Sequence, residues 1–289
     1  MTKIKKLLRL IWNEFIYGGH LQSLGAASIV FVSGILLKIQ ITWDVLFVAY
    51  LLFYIPYLYN RFKEINIDRL TNLQRTQHVS KYVKFIPIIL YFVIFILVVS
   101  LVYFSNLRAL IFGLLLLIFG ILYTLIFKKL TQKVPLLKNF YVSIFFTSLI
   151  FLPIIYYSYP LKTVLIVSGL VLGLFIFLKT FLSQIFLDIK DIESDRKRGL
   201  RTLPIIIGKE KTFKILYVFN LLIILIIPVV FSLYFNIFSK SILMLFLIIP
   251  FNLYCFNLAR QQKYFSYFLV GGEFFFWLIL ILIGEIILC

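Results

Sequence analysis

Carboxylates are scarce in this chain, and most of them fall in two short segments. The 289 residues hold 11 Asp and Glu against 29 Lys and Arg, for a formal net charge of +18. Six of the acids are Glu64, Asp68, Asp188, Asp191, Glu193 and Asp195; the rest (Glu14, Asp44, Glu210, Glu273 and Glu285) are scattered. The first segment reads Asn60-Arg-Phe-Lys-Glu64-Ile-Asn-Ile-Asp68-Arg-Leu-Thr-Asn72, with an oxygen-bearing side chain at every fourth position. At about 100° per residue, each step of four drifts only about 40° around a helix. Asn60, Glu64, Asp68 and Asn72 are therefore expected to form one slowly turning stripe. The second segment reads Asp188-Ile-Lys-Asp191-Ile-Glu-Ser-Asp195. Its offsets place Asp188, Asp191 and Asp195 on one helical face, with Glu193 pointing elsewhere.

Like charges on a shared face repel, so a bound cation is the simplest reason to gather them. The donors are carboxylate and amide oxygens, without thiol or imidazole, which suits magnesium or calcium. Magnesium takes one or two carboxylates, keeps some waters and completes its shell with substrate phosphate. Arg75, Lys128, Lys129, Arg196 and Arg201 are placed to contact phosphate oxygens that the metal leaves uncovered. Each feature alone has a plainer reading. Loop charges are ordinarily a solvated face, and Lys128-Lys129 by itself is a topology signal. Two acidic stripes on the same side of a membrane favour the metal.

The elements that must position these groups are membrane helices. The chain is 63% hydrophobic and 14% charged, with a mean hydropathy of +1.06, which excludes an ordinary soluble domain. Apolar runs of about 20 residues, enough to cross a bilayer, recur throughout. They are continuous rather than alternating, so helices rather than a barrel satisfy their backbones. Nine spans are expected, near residues 22–41, 43–59, 83–104, 107–127, 139–157, 161–187, 212–235, 238–258 and 266–288. Short turns such as Ser105-Asn106 and Tyr159-Pro160 make neighbours antiparallel. The expected fold is a single all-α, polytopic membrane domain over residues 1–289. Its central cavity is capped by two acidic loops, 60–80 and 188–211.

Residues 1–20 form a Lys-rich segment (Lys3, Lys5, Lys6, Arg9) followed by Trp12, Phe15 and Tyr17. It reads as an amphipathic helix on the membrane surface, with no cleavable signal peptide evident. Nearly all remaining basic residues lie in the loops on the same side as the N-terminus. The opposite side has Lys38, Arg108, Lys162 and Lys240. That asymmetry accounts for the charge better than nucleic-acid binding does. It places the N-terminus and both acidic loops in the cytoplasm and the C-terminus outside. Cys255 and Cys289 suggest neither a disulfide framework nor a zinc site, and His20 and His78 are too far apart to argue for a metal cluster. Glu273, after Gly271-Gly272 inside the ninth span, is a functional candidate by default, with a buried polar contact as the plainer reading. Lys179 and Gln184 in the sixth span either face a cavity or partner each other. Gly169 and Gly173 permit close helix packing.

These segments resemble the signature motifs of the UbiA-type membrane prenyltransferases, and the resemblance covers essentially the whole chain. The family motif Asn-x-x-x-Asp-x-x-x-Asp is matched by Asn60, Glu64 and Asp68, continuing into Asn72 and Arg75. Asp-x-x-x-Asp is matched by Asp191 and Asp195, with Asp188 upstream and a similar tail running to Pro204. Tyr123 followed by Lys128 and Lys129 is similar to a family Tyr/Lys element, although the spacing is one residue longer than the family's. Glu64 stands where Asp is usual, and Arg61 stands where many members have Asp.

The resemblance implies magnesium-dependent transfer of an isoprenyl group from a prenyl diphosphate to a lipophilic acceptor. Asn60, Glu64 and Asp68 would hold one ion, and Asp191 and Asp195, supported by Asp188, the other. Arg75, with Lys128 or Lys129, and further Asn72 and Arg201, would hold the diphosphate. Tyr123 would orient the diphosphate or the acceptor. Asp68, Asp191, Tyr123 and Lys128 form the expected catalytic set. The expected acceptor is aromatic, resembling hydroxybenzoate or naphthoate; a glyceryl lipid, a porphyrin-type ring or a carotenoid is the alternative. Membrane lipids are the remaining partners, with no nucleic acid and no obligate protein partner expected. A cation transporter is the competing class. It is disfavoured because the acids lie at helix ends, whereas transport sites lie near the midplane. Asp191→Ala is expected to abolish prenyl transfer while the protein still inserts normally; full activity of that variant would refute the metal assignment.

Overall fold

The computed structural model describes the backbone of residues 3–235 and 237–288, and side chains from Lys5 onward. The sequence readings of Cys289 and of the Lys3 side chain fall outside this description. All regular structure among the described residues is helical. Eight helices are long and apolar enough to cross a membrane: His20–Leu37, Trp43–Asp68, Val83–Phe104, Leu107–Leu130, Leu137–Tyr156, Thr163–Lys190, Lys209–Tyr234 and Lys240–Arg260. The pair Phe265–Gly271 and Glu273–Leu288, bent by 55° at Gly272, passes the same test when its two helices are taken together and is counted as the ninth. These are termed spans one to nine.

Spans two and six are longer than the apolar pattern suggested. At 26 and 28 residues they reach about 39 and 42 Å. Each carries apolar sequence and acidic motif on one rod, so part of each expected loop is helix. Two corrections follow. Span two ends at Asp68, and residues 69–71 turn before the short helix Leu73–Val79, so Asn72 is not a fourth rung of the stripe. The second motif breaks at Asp191 (φ −96°, ψ 11°), which separates Asp188 on span six from Asp195 on the short helix Ile192–Lys197.

Span four widens into a π-helical turn over Tyr123–Phe127. Such a turn accommodates one extra residue within an α-helix, with i→i+5 hydrogen bonding. It absorbs the extra residue between Tyr123 and Lys128 and keeps both on one face, where both line the same cavity. Close approach between spans two and four depends on Gly120. A Cβ there would sit 2.4 Å from the ring of Pro56.

The N-terminal helix Lys3–Tyr17 carries exposed Leu7, Leu8, Leu10, Ile11 and Trp12. Its far end docks on the helix Leu73–Val79 through His78 Nε2 to Glu14 Oε2 (2.6 Å) and Tyr17 Oη donating to Gln74 (2.7 Å). The hydrogen bond with His20 holds the Glu14 carboxyl below its ordinary range; burial opposes it, and His78 adds to it.

Spans six to nine are joined by a buried polar network. Lys179 and Glu273, each 1% exposed, form an ion pair at 3.0 Å. Lys179 also donates to Asn220 at 2.6 Å, Asn252 donates to Asn220 at 3.1 Å, and Trp277 donates to Glu273 at 2.9 Å. The partner of Lys179 is thus Glu273 across the bundle rather than Gln184. Removing one member of such a pair strands a buried charge and costs about 3–5 kcal/mol, whereas replacing both with apolar residues can be neutral. Glu273→Leu alone is expected to lower the melting temperature of the purified protein strongly. Lys179→Met combined with Glu273→Leu is expected to recover most of the loss. A double variant no more stable than the single would disprove the coupling.

Candidate active site

A cavity of about 220 Å³ opens among spans one, two, four, five, six and nine. Both acidic segments reach it. Asp68, Asp188, Asp191 and Asp195 line it together with six cationic side chains: Arg61, Arg75, Lys128, Lys138, Lys190 and Arg198. Its apolar wall includes Phe53 of span two, Tyr141, Phe145 and Phe146 of span five, and Phe274 of span nine. Phe146 contacts both Phe53 and Phe274, with ring centroids 5.0 and 5.8 Å apart.

The acids are held mainly by cations from other elements. Asp68 accepts from Arg61 (2.6 Å) and from Arg75 (3.1 Å) on the helix Leu73–Val79. Glu64 pairs with Lys128 of span four (2.5 Å) and Arg198 (2.8 Å). Lys138, at the start of span five, bridges Asp188 (2.8 Å) and Asp195 (2.5 Å). Asn139 adds a 2.7 Å hydrogen bond to Asp188. Thr124 donates to Asn60 at 3.1 Å.

Asp191 is placed differently. It accepts from two neutral groups of the first segment, Thr71 Oγ1 and Asn72 Nδ2, both at 3.0 Å. Its ion pair with Lys190 is long, at 3.9 Å. Burial pushes its carboxyl upward, but Lys190, Arg75 and Lys138 outweigh that and keep it below the ordinary carboxylate range. Asp191 is therefore ionised at neutral pH and lacks a close cation. The hydrogen bonds from Thr71 and Asn72 also join the two motifs directly.

Most of the sequence-expected residues meet here. Asn60, Asp68, Arg75, Tyr123, Lys128, Asp188, Asp191 and Asp195 all line the cavity. Glu64 lies just behind it, held by two cavity-lining cations, and Asn72 reaches it through Asp191. Lys129 and Arg201 are exposed and lie apart from the lining. Lys129 follows Lys128 on a helix, so it is rotated away by roughly 100°. Arg201 contributes backbone hydrogen bonds to Thr131 and Leu136. Arg196 is also exposed, and Arg198 takes the place expected of it.

Sequence reasoning missed Lys138, which it counted among the topology-setting bases, and Lys190 and Arg198. The signal for Lys138 was its position: a helix N-terminus disfavours a cation, so a lysine there needs an anionic partner.

Among the described residues, no three acids or histidines are already gathered as a metal cluster. The donor chemistry nevertheless fits magnesium, since the lining acids offer only oxygens. Asp191 is free of a close cation, and the other acids would exchange Lys or Arg for metal.

The model of the UbiA prenyltransferase family matches residues 23–280. The chain belongs to that family. A digeranylgeranylglyceryl phosphate synthase of Methanosphaera stadtmanae is 39% identical over 80 residues, which span 28% of this chain and 29% of that relative. A UbiA homologue from Aeropyrum pernix K1, in its apo state, superposes with a TM-score of 0.70 at 14% identity, covering 92% of this chain and 97% of the other. A UbiA homologue from Archaeoglobus fulgidus, bound to DMAPP and Mg2+, superposes with a TM-score of 0.60 at 14% identity, covering 93% and 98%. A third structure, of a digeranylgeranylglyceryl phosphate synthase, matches with a TM-score of 0.55 at 19% identity over 100% and 99% of the chains. At these identities the structural likeness is one of fold.

An exchange of Lys138 for metal would have a readout independent of turnover. In this UbiA-family protein, Lys138→Met leaves Asp188 and Asp195 without their cation. In EDTA the variant is expected to melt well below the unmodified protein, by a stability difference of about 3 kcal/mol or more. Added Mg2+ is expected to raise its melting temperature more than that of the unmodified protein. Equal Mg2+ effects on both would rule the exchange out.

Proposed function

We propose that this protein transfers an isoprenyl group from a prenyl diphosphate to a glyceryl lipid phosphate in a magnesium-dependent reaction. The observation that carries the reading is the meeting of two acidic segments in one cavity, cation-rich around the acids and aromatic along its apolar wall. Asp68, Asp191 and Asp195, with Asn60, Glu64 and Asp188 in support, would hold magnesium. The metal would offset charge on the diphosphate as it departs.

The chain's own groups account for the rest. Lys128 and Arg75, assisted by Arg61, Lys138 and Arg198, hold phosphate oxygens and stabilise the leaving group. Tyr123 stands beside Lys128, whose ammonium lies 5.7 Å from the ring centroid, and orients the phosphate end. The carbon–oxygen bond of the allylic ester breaks with its electron pair going to the diphosphate. An acceptor hydroxyl oxygen forms the new bond to that carbon, and its proton passes to the released diphosphate. Aromatic faces along the apolar wall stabilise the developing allylic cation, and the apolar bundle keeps water from capturing it.

Two considerations move the glyceryl lipid ahead of the aromatic acceptor expected from sequence. Two similar proteins carry the name digeranylgeranylglyceryl phosphate synthase. The lining cations also outnumber the lining acids, six to four, and magnesium would enlarge that surplus. A cavity of this charge suits a second phosphate, on the acceptor, as well as the diphosphate. The basic residues beside the N-terminus and the motifs support a cytoplasmic site, with the C-terminus on the other side.

The test is mass spectrometry of lipids formed by purified protein in lipid nanodiscs with prenyl diphosphates, a glyceryl lipid phosphate and 4-hydroxybenzoate. Prenylated glyceryl lipid is expected in Mg2+ and none in EDTA. Product on the aromatic ring alone would reassign the acceptor. Metal-dependent ion flux without prenylated product would replace the enzyme with a transporter.

A further inference from the structure

Span six presents a single stripe to the cavity: Thr180, Ser183, Gln184, Leu187 and Asp188, continued by Asp191 beyond its end. The stripe changes character along its length. Asp188 and Asp191 mark the cytoplasmic-motif end, and uncharged polar groups follow deeper in. Thr180 is eight residues from Asp188, about 12 Å along the helix axis, which leaves room for a diphosphate and its metal between them. The facing wall is aromatic, from Phe53, Phe145 and Phe146.

Two polar atoms on this side have no partner. Thr180 is 1% exposed, and its Oγ1 makes no hydrogen bond. Several other hydroxyls in the spans, those of Ser143, Thr147, Ser148 and Ser168, donate to the carbonyl four residues earlier. Gln22 of span one also lines the cavity, and its Oε1 is buried and unpaired. Gly271, at the bend of span nine, packs beside it: a Cβ there would lie in ordinary contact, 3.4 Å from Gln22 Nε2. A buried polar group without a partner costs about 1–3 kcal/mol, so two of them on residues that line one cavity call for a ligand.

The chemistry of that ligand follows from the orphaned atoms. An amide oxygen only accepts, and a hydroxyl oxygen accepts as readily as it donates. A diphosphate or a carboxylate offers acceptors alone and cannot satisfy Gln22 Oε1. We propose that Gln22 and Thr180 form the acceptor subsite, receiving hydrogen bonds from hydroxyl groups of the lipid acceptor opposite the aromatic wall that holds the isoprenyl tail. This deepens the prenyl-transfer reading and rests on it.

The experiment is steady-state kinetics with each substrate varied in turn, on the full chain in nanodiscs with Mg2+, a prenyl diphosphate and a glyceryl lipid phosphate. Gln22→Met and Thr180→Val are close in shape to the native side chains and lack these acceptors. Each is expected to raise the KM for the acceptor about fivefold, the loss of one neutral hydrogen bond. The KM for the prenyl diphosphate is expected to stay within about twofold. Thr180→Ser is expected to restore the acceptor KM. If Thr180→Val does not fold, Gln22→Met decides alone. An unchanged acceptor KM, or equal rises in both KM values, overturns the subsite while leaving prenyl transfer standing. Absence of transfer by the unmodified chain overturns both.

Discussion

Pairing of buried charge across helices is the constraint on which the site depends. A carboxylate withdrawn from water at a bilayer surface costs several kcal/mol unless a cation and further hydrogen bonds offset it. Glu64, Asp188 and Asp195 are each at most 9% exposed, and each has a cation from another element within 3 Å. Spans two, four, five and six are therefore registered by their ionic ends as well as by their apolar faces. Lys138 alone connects span five to both sides of the break at Asp191. The same interactions that gather the acids prevent them from repelling one another before any metal arrives.

Much of this was legible in the sequence because the bilayer imposes so few solutions. Continuous apolar runs require helices, and the alternation of short turns with longer charged loops sets their directions. Spans three and four, with apolar side chains such as Phe92, Phe95, Leu115 and Ile118 facing outward, are read correctly from hydropathy alone. The helical register of Asn60, Glu64 and Asp68 also follows from spacing. Asn72 does not, because periodicity carries no information about where a polar helix stops; residues 69–71 turn there, although Asn72 keeps the spacing. The break at Asp191 escaped for the same reason.

Cations were harder to place than acids. Eleven acids among 289 residues make a cluster conspicuous, whereas 29 basic residues in membrane-flanking positions look alike. Lys128 and Lys129 differ in role through rotation about one helix, and the π-helical turn that aims Lys128 inward leaves no compositional trace. Lys138 and Arg198 are distinguished by tertiary partners, which a single chain does not display. Lys179 and Glu273 were each recognisable as costly inside a span. Their mutual choice, over the nearer Gln184, came from packing between spans six and nine.

On the proposed function the cations would have two employments, which would account for a cavity lined by more of them than acids. In the structure they pair with the motif carboxylates and tie spans two, four, five and six together. In the proposed reaction the same Lys and Arg side chains would be free to reach phosphate oxygens once the carboxylates held magnesium, and planar guanidinium and ammonium groups are strong partners for phosphate. Asp191, whose nearest cation lies at 3.9 Å, would be the point of entry in that scheme. The field of Lys190, Arg75 and Lys138 keeps it ionised against the cost of burial, and the hydrogen bonds from Thr71 and Asn72 aim it. A cavity arranged in this way would bind metal and diphosphate more readily together than either alone, since each would remove the charge imbalance that the other creates.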